Sequence, residues 1–469
     1  MTKSRLLISR VRIAISKSGI VSVFIIWDLF VGILILSGLH LNAQSSRVPI
    51  PTITSGQSNQ KYQQVNGIIH LQTPVSGGTR RIGNYIKLAR ERGISIIIIT
   101  DHDTLNYEYA IHPLRWLVKK TVVKESVFNY GVDNYLELIR NRQSANPDIV
   151  LIDGVESIPF YYWSGSFQTH LKDKFGRREL MLNNRGKHIL VIGLNTPDAY
   201  EHLPVIGNGY SRYDAYHGEQ GGNPYQDLID YVNAKGGVTF WAHPESEEKW
   251  MKEGISVHTP PYYESILDTI NYTGFAVLPE GYQKIGRIGG LWDEVLTAYC
   301  AGKRKLPVWA IGELDDYGDK PVDVVQTVFL LEDRSYQRVI NAMKSGKMYA
   351  VSKSGRQGTP LPLLEQFIIQ DSANPKIIAY SGDEIICNGK PLIKIKLAHK
   401  TYSAHSKVTI KLIREGKLIK EYNESLPCEI TFEDSVLNTN VKTYYRLDVT
   451  DEFGGKIVSN PIFVSKRSK

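Results

Sequence analysis

The sequence predicts an α/β fold in which a barrel of strands and helices is followed by a small β-sandwich. Up to about residue 358, short apolar runs rich in β-branched residues alternate with segments of helical periodicity. This is the pattern of a parallel sheet covered by helices. After residue 358 the hydrophobic pattern changes to a period of two, which is typical of antiparallel strands. We therefore place a barrel domain at residues 65–358 and a β-sandwich at 359–469.

Two segments show the helical pattern of the first domain most clearly. Residues 79–92 have one apolar face, and Gly93 then ends the helix. The predicted inner face consists of Ile82, Tyr85, Ile86 and Ala89. Residues 225–234 form a second helix, followed by a glycine pair and an apolar strand. Such alternation predicts a parallel sheet that closes on itself.

Two connections are longer than a minimal barrel needs. Residues 103–147 are aromatic and helical in places, and residues 244–290 carry several tyrosines with little periodicity. Long connections after barrel strands commonly build substrate pockets, so lids or specificity loops are one interpretation. Packing insertions that cover the barrel mouth are the other.

The second domain contains two predicted hairpins, around Glu415-Gly416 and Gly454-Gly455. Residues 393–397 alternate between apolar and charged residues, as a half-buried strand does. Because no cluster of metal-ligand residues occurs there, we interpret this domain as a packing or orientation module. Sugar or partner binding is the less favoured alternative.

Carboxylates and histidines recur at the ends of six apolar runs of the first domain. They are His70, Asp101, His102, Glu156, His188, His243 and Asp315. Taken singly, each is more typical of a strand cap or a turn. Together they match the ligand set of zinc, manganese or iron, and barrel active sites lie where strands end. A carboxylate such as Glu156 can bridge two ions, so seven ligands suit a binuclear site.

The motifs that carry these residues resemble those of the polymerase and histidinol phosphatase (PHP) family. In chain order they are H-x-Q from His70, T-D-H-D to Asp103, G-V-E to Glu156, H-I-L-V-I-G from His188, A-H-P around His243 and D-x-Y from Asp315. The resemblance covers about residues 65–353. It implies a distorted (β/α)7 barrel with two or three metal ions, and many members hydrolyse phosphate esters. The L-W-D-E-V-L segment and the C-terminal extension resemble the branch that includes a carbamate-insecticide hydrolase.

The resemblance also implies a ligand set. One divalent ion would be held by His70, Gln72, Glu156 and Asp315; a second would be held by Glu156, His188 and His243. Asp101 and His102 would serve a third, together with Tyr317. The candidate catalytic residues are Asp101, Glu156 and Asp315.

Two positions depart from the family pattern, because Gln72 and Tyr317 stand where the family has histidine. An amide oxygen is a weak ligand, and a phenol must lose a proton to bind a metal well. Two divalent ions, of zinc, manganese or iron, are therefore expected, and the third is in doubt.

The N-terminus predicts export. Residues 1–43 join a basic stretch to a long apolar run that ends in small residues, which is the pattern of a secretory signal. A periplasmic or extracellular location follows. The alternative is an uncleaved membrane anchor, since the run can span a bilayer, although Asp28 is costly at its centre. Residues 44–64 are rich in Ser, Thr, Gln and Pro and predict a flexible linker.

Composition narrows the function further. The net charge of the 469-residue chain is +8, and it falls to +4 without residues 1–43, which hold five basic residues and one Asp. Since no basic run is interleaved with aromatic residues, a nucleic-acid partner is disfavoured. The motifs of serine hydrolases and P-loop NTPases are missing from the sequence.

The sequence thus predicts an exported, metal-dependent phosphoesterase that acts on a small-molecule ester through a metal-activated water. One alternative is a carbamate or carboxylic ester hydrolase on the same metals. Another is a non-catalytic binding protein whose site has decayed through Gln72 and Tyr317. The sequence indicates no oligomeric state.

Overall fold

The structure is a computed structural model that describes residues 52–53, 62–110, 119–166, 180–252, 255–354, 361–399, 406–437 and 441–466. The predicted signal or anchor at residues 1–43 lies outside the described residues, as does most of the predicted linker. Within the described ranges, no helix is long and apolar enough to cross a bilayer.

Strands make up most of the regular structure. Before residue 355 they are β1 (Thr52–Ile53), β2 (Gln63–Leu71), β3 (Ile96–Ile99), β4 (Asp101–His102), β5 (Asn106–Ala110), β6 (Lys119–Val123), β7 (Val150–Ile152), β8 (Gly154–Ser157), β9 (Trp163–Ser166), β10 (Leu180–Asn184), β11 (Ile189–Ile192), β12 (Val238–Trp241), β13 (Glu248–Lys252), β14 (Ile255–Thr259), β15 (Gly274–Leu278), β16 (Trp309–Gly312), β17 (Val325–Leu331) and β18 (Met348–Ser352). After it they are β19 (Pro362–Asp371), β20 (Asn374–Tyr380), β21 (Glu384–Cys387), β22 (Pro391–His399), β23 (Lys407–Arg414), β24 (Lys417–Ser425), β25 (Cys428–Glu433), β26 (Lys442–Asp451), β27 (Lys456–Ser459) and β28 (Ile462–Lys466).

The α-helices of the described residues all precede residue 355. They are α1 (Ile82–Arg92), α2 (Val127–Tyr130), α3 (Val132–Ser144), α4 (Pro197–Glu201), α5 (Asn223–Ala234), α6 (Ser265–Asp268), α7 (Leu291–Cys300) and α8 (Tyr336–Ser345). The two predicted helices are α1 and α5. The four residues predicted for the inner face of α1 are its buried residues, and Gly93 ends it with φ of 66°. Both helix predictions are confirmed to within three residues at each end.

Two sheets surround the candidate site. One has the order β16-β15-β12-β11-β8-β4, and β2-β3-β7 belong to a larger sheet. Single residues, Thr100 and Asp153, separate β3 from β4 and β7 from β8. At the other edge, Leu314 N donates to Ile69 O at 2.8 Å, and Gln72 N donates to Asp316 O at 2.9 Å. The chain is therefore a mixed α/β protein in which two sheets are linked along the chain through Thr100 and Asp153, and the segment after β16 hydrogen-bonds to β2.

The expectation of an all-parallel sheet is wrong at β11. This strand runs antiparallel to β8 and to β12. Between β8 and β11 the chain forms β9 and β10, which pair with each other, and the described residues there contain no crossover helix. Antiparallel neighbours need no such helix, so the chain re-enters the sheet from the end at which it left.

The C-terminal strands continue the larger sheet. β27 pairs with β18, so one twelve-stranded sheet extends across residue 358. A second sheet, with the order β20-β19-β22-β25, belongs wholly to the C-terminal part. One buried cluster draws side chains from both sheets, among them Ile369, Ile395, Ile410 and Leu447. This shared core is the arrangement that a β-sandwich needs.

Helix α7, which carries the L-W-D-E-V-L segment, is joined to the C-terminal part by a buried ion pair. Asp293 accepts from Arg446 through both carboxylate oxygens, at 2.8 and 2.6 Å. The Tyr444 hydroxyl also donates to Asp293 at 2.8 Å. Arg446 has no exposed side-chain surface, and its guanidinium lies 4.9 Å from the centre of the Trp292 ring.

Candidate metal centre

Glu156 is the residue around which the candidate site is built. It lies within β8, and its side chain is almost completely buried. Its Oε2 is 3.1 Å from His70 Nε2 and 3.2 Å from His102 Nδ1. Its Oε1 is 3.2 Å from His243 Nε2 and also contacts His188 Nδ1. Each carboxylate oxygen therefore faces its own pair of histidines.

The ends of the strands bring these histidines together. His70 and His102 lie at or near the ends of β2 and β4, and His243 follows β12. His188 comes directly before β11, and because β11 is antiparallel, its start is level with the ends of its neighbours. The ring centres of His70 and His243 are 5.6 Å apart, and those of His188 and His243 are 5.0 Å apart. The structure thus brings together the histidines that the sequence placed at strand ends.

Backbone strain is concentrated at this site. His70, His243 and Asp315 have φ of 70°, 23° and 46°. They are half of the six non-glycine residues with positive φ in the described ranges, and two of the other three are asparagines, which tolerate this region. Residues held in this region commonly cluster at functional sites, because the surrounding structure must over-determine them.

Three of the histidines are held by an oxygen on the side of the ring that faces away from Glu156. The pairs are His70 Nδ1 with Glu313 Oε2 (2.8 Å), His102 Nε2 with the Tyr317 hydroxyl (3.0 Å) and His243 Nδ1 with the Tyr262 hydroxyl (3.3 Å). An oriented imidazole with its second nitrogen turned inward is the usual arrangement of a metal-binding histidine.

Glu313 is a site residue that the sequence analysis missed. Its side chain is fully buried, and it accepts hydrogen bonds from His70 and from the backbone N–H of His243. It follows β16 directly, in a segment where only Asp315 and Tyr317 were predicted as site residues. The signal that was available is a carboxylate at the end of an apolar strand, two residues before Asp315.

Asp315 lies at the edge of the cluster. Its Oδ1 is 3.6 Å from His70 Nε2, and its Oδ2 is 3.8 Å from Lys320 Nζ. About a quarter of its side chain is exposed, at 27%. Asp315 is therefore near enough to share an ion with His70, and it is partly exposed whereas His70 is fully buried.

Gln72 and Asp101 have other contacts in this structure. The Gln72 amide nitrogen donates to Glu156 Oε2 at 2.7 Å, while its oxygen accepts from the backbone N–H of His102 at 3.2 Å and from Ser76. Asp101 accepts from Thr73 N and Thr73 Oγ1 at 2.6 and 2.8 Å, and its Oδ1 also lies 2.6 Å from Ser76 Oγ, whose single hydrogen serves either Asp101 or Gln72. Both side chains thus organise the segment after β2, and their roles as ligands stay predictions.

The electrostatics of the cluster couple Glu156 to its histidines. Burial alone would raise the pKa of Glu156, but His102, His70 and His188 outweigh it and hold the pKa well below its usual value. Burial would lower the pKa of His70 and of His243, but neighbouring carboxylates, Glu156 above all, outweigh it. The pKa of His70 is raised well above its usual value, and the pKa of His243 is raised to about 9. Burial lowers the pKa of His102 to about 4. Without a metal, His70 and His243 therefore hold their protons more tightly than a free imidazole does, next to an ionised Glu156.

A cavity of about 640 Å³ opens above the cluster. His102, His188 and His243 form part of its lining. Its walls include Leu105, Val123, Lys124 and Glu125 on one connection, Ser246, Glu248, Thr259 and Tyr262 on another, and Asn184 of β10. Both long connections found in the sequence, 103–147 and 244–290, therefore contribute to the cavity wall, which lids, specificity loops and packing insertions at this mouth would all do.

The donor atoms fit a divalent metal. His70 Nε2 and His102 Nδ1 are buried and form no hydrogen bond within the described residues, although both are close to Glu156 Oε2. Two ligand atoms that are each about 2.1 Å from one ion, at angles of about 90 to 110°, lie about 3.0 to 3.4 Å apart. The measured nitrogen to oxygen distances of 3.1 to 3.2 Å fall in this range. One ligand atom each from His70, Glu156 and His243 lies within 4.8 Å of the others.

Comparison with known proteins finds similarity among solved structures. No protein-family model and no curated protein matches the chain. It is similar to a two-domain protein from Bacteroides vulgatus that contains a predicted PHP-like metal-dependent phosphoesterase. The two sequences are 13% identical, the match covers 86% of this chain and 95% of that chain, and the TM-score is 0.35. It is also similar to an amidohydrolase from Chromobacterium violaceum with bound sulfate and no metal, with 14% identity, 55% and 89% covered, and a TM-score of 0.27. At these identities and scores the likeness assigns no activity and no ligands to this chain.

Proposed function

We propose that this chain is a metal-dependent phosphoesterase in which Glu156 and the four histidines around it would hold two divalent ions. The observation that carries the proposal is the division of its carboxylate, in which Oε1 faces His188 and His243, and Oε2 faces His70 and His102. A carboxylate that offers one oxygen to each of two ligand groups is suited to bridge two ions. The zinc, manganese or iron expected from the ligand types fits both groups.

The fold proposed for this function is the distorted PHP-type barrel. Backbone hydrogen bonds from Leu314 and Asp316 return the pairing of the sheets to β2, which supports closure. The motif order along the chain supports the family. Export by residues 1–43 is part of the proposal and rests on the sequence pattern alone.

Divalent ions at such a site supply Lewis acidity and lower the pKa of a water molecule. Residues of the chain would orient the ligands and accept a proton. Glu313, Tyr317 and Tyr262 orient the imidazoles, and the Gln72 amide holds Glu156 in place. Asp315, whose side chain is 27% exposed and whose Oδ1 lies 3.6 Å from His70 Nε2, is the carboxylate we assign as proton acceptor. The cavity described above, of about 640 Å³, has room for a small ester.

A phosphate ester is favoured because a pair of ions can stabilise both the entering and the leaving oxygen of an in-line displacement.

One observation favours the second candidate, a carbamate or carboxylic ester hydrolase. Among the described residues that line the cavity, Lys124 is the single Lys or Arg, and Glu125 and Glu248 carry the opposite charge. A neutral ester would need fewer cationic partners than a phosphate dianion does.

The test uses the full-length chain and Glu156→Gln. We expect about two ions per wild-type chain by elemental analysis, and hydrolysis of at least one class in a panel of phosphate monoesters, phosphate diesters, carbamates and carboxylic esters. Glu156→Gln replaces a charged oxygen by an amide nitrogen that cannot bind a metal, so it should lower metal content and abolish hydrolysis. The wild-type chain could bind metal but show no hydrolysis of the panel that is lost in Glu156→Gln. This result would favour the binding-protein alternative. Wild-type chain that binds no metal would refute the proposal.

A further inference from the structure

Glu313 has a carboxylate with two hydrogen-bonding partners and no exposed surface. Oε2 lies 2.8 Å from His70 Nδ1, and Oε1 accepts from the backbone N–H of His243 at 2.5 Å. Glu313 N also donates to Leu278 O at 3.0 Å. Glu313 thus joins the ends of β2, β12, β15 and β16, two of which carry a histidine with positive φ.

The chemistry of a carboxylate determines which nitrogen of His70 carries hydrogen. An ionised carboxylate accepts hydrogen bonds and cannot donate them, so the close Nδ1 must be protonated. In a neutral ring, Nε2 then has the free lone pair, and it points toward Glu156 Oε2 and Asp315 Oδ1. Two electron-rich atoms 3.1 Å apart repel each other unless a proton or a metal ion lies between them.

We infer that Glu313 is the positioning residue that sets the tautomer of His70, so that Nε2 is the atom offered to a metal. The inference rests on the proposed metal site but concerns a residue to which neither the motif pattern nor the predicted ligand set gave a role. Glu313 does not touch the substrate cavity in the described lining and acts only through the two histidines it holds.

Replacement of Glu313 by glutamine keeps the size of the side chain but changes one of its two hydrogen-bond acceptors into a donor. The amide that Glu313→Gln introduces has one acceptor and one donor group, whereas its two partners are both donors. The backbone N–H of His243 cannot change, so it would take the amide oxygen. The amide nitrogen would then face His70 Nδ1, which can accept only if the ring hydrogen moves to Nε2. Glu313→Gln should therefore remove the His70 lone pair from the metal with almost no change in side-chain volume.

The experiment is a double-mutant cycle on zinc binding by the full chain, measured by competition with a chromophoric chelator. Glu313→Gln should weaken zinc binding by about 10- to 100-fold in the wild-type background. In the His70→Ala background it should change zinc binding by less than about threefold, because the residue through which it acts is gone. Asp371→Asn, at a buried carboxylate of the C-terminal part that accepts three backbone N–H groups, is the control and should leave zinc binding unchanged.

An equal loss of affinity in both backgrounds would overturn the inference, because Glu313 would then act without His70. If Glu313→Gln does not fold, ring ¹⁵N NMR of zinc-loaded wild-type chain decides instead. We expect a protonated Nδ1 and a zinc-bound Nε2 at His70, and zinc on Nδ1 would overturn the assignment. Failure of wild-type chain to bind zinc at all is a different result, which refutes the proposed function rather than the role of Glu313 within it.

Discussion

At the scale of single residues, the site is a carboxylate surrounded by four imidazoles, three of which are held by an oxygen at their other ring nitrogen. Glu156 has two oxygens and four imidazole nitrogens around it. In the metal-free chain, His70 and His243 both have a raised pKa, so protons on these two imidazoles offset the negative charge of Glu156. A metal must displace those protons, so metal binding and protonation compete for the same atoms.

This competition predicts a steep pH dependence of metal affinity. His243, with a pKa of about 9, and His70, with a pKa well above normal, are both protonated at neutral pH without metal. Each raised pKa means that a proton must be removed on binding, so affinity falls as pH falls below these values. Between about pH 6 and 8, zinc affinity should rise by up to about 100-fold per pH unit, tenfold for each displaced proton. Chelator competition at several pH values measures this slope, and an affinity independent of pH would contradict it.

The sequence could predict the inward-facing residues but only some of the residues that hold them, since Gln72 and Tyr317 were named as candidate ligands and not as holding residues. His70, His102, Glu156, His188 and His243 were found because residues at the ends of neighbouring strands meet at one edge of a sheet. Glu313 was missed, and Tyr262 was seen only as one of several loop tyrosines. Their partners lie tens to hundreds of positions away along the chain. Such contacts depend on three-dimensional register, which no local pattern contains.

At the scale of elements, the sequence patterns of strand β11 and helix α7 fit the observed elements but do not indicate how these elements pair with the rest of the chain. The apolar run of β11 predicted a strand, but its direction depends on the connection before it, which lacks the expected helix in its described residues. The L-W-D-E-V-L segment forms a helix, as its apolar spacing allows, and its Asp293 pairs with an arginine 153 residues later. Sequence periodicity therefore indicated the elements, while their pairing required the folded chain.

The Asp293–Arg446 pair predicts a large loss of stability when one partner is removed. Arg446→Met keeps most of the side-chain volume but leaves a buried, unpaired carboxylate, which should cost about 3 to 5 kcal/mol of the free energy of unfolding. Replacing Asp293 by Leu in the same chain should recover part of this loss, because the uncompensated charge is removed. Urea unfolding monitored by tryptophan fluorescence measures both changes.

The control for that prediction is Arg90→Met. Arg90 pairs with Asp148 on the surface, where both side chains are about half exposed. Water and salt screen such a pair, so the unfolding midpoint should hardly move. Equal effects of Arg90→Met and Arg446→Met would show that burial does not determine the contribution of these pairs.

At the scale of the whole molecule, the two predicted domains share structure across residue 358. β18 of the first pairs with β27 of the second. The Asn460 side chain accepts from Ala310 N at 2.7 Å and donates to Ala310 O and Met348 O at 3.0 Å. Phe463 packs on Tyr299 with ring centres 4.8 Å apart and belongs to the core cluster of the first part. A boundary drawn where the hydrophobic period changes separates two sequence patterns but not two independent cores.

This continuity predicts that cutting the chain near residue 358 will not separate its parts. A protease site inserted between residues 354 and 361 would break one covalent connection while leaving β18–β27 pairing, the Asn460 hydrogen bonds and the buried Asp293–Arg446 pair in place. Separation would expose apolar side chains and leave buried polar groups without partners, both of which are unfavourable. After cleavage, the two fragments should elute together in gel filtration at neutral pH, retain the zinc content of the uncut chain and separate only in denaturant. Independent elution of the fragments without denaturant, with zinc retained by the first, would instead show that the part before residue 355 folds and binds metal without the C-terminal strands.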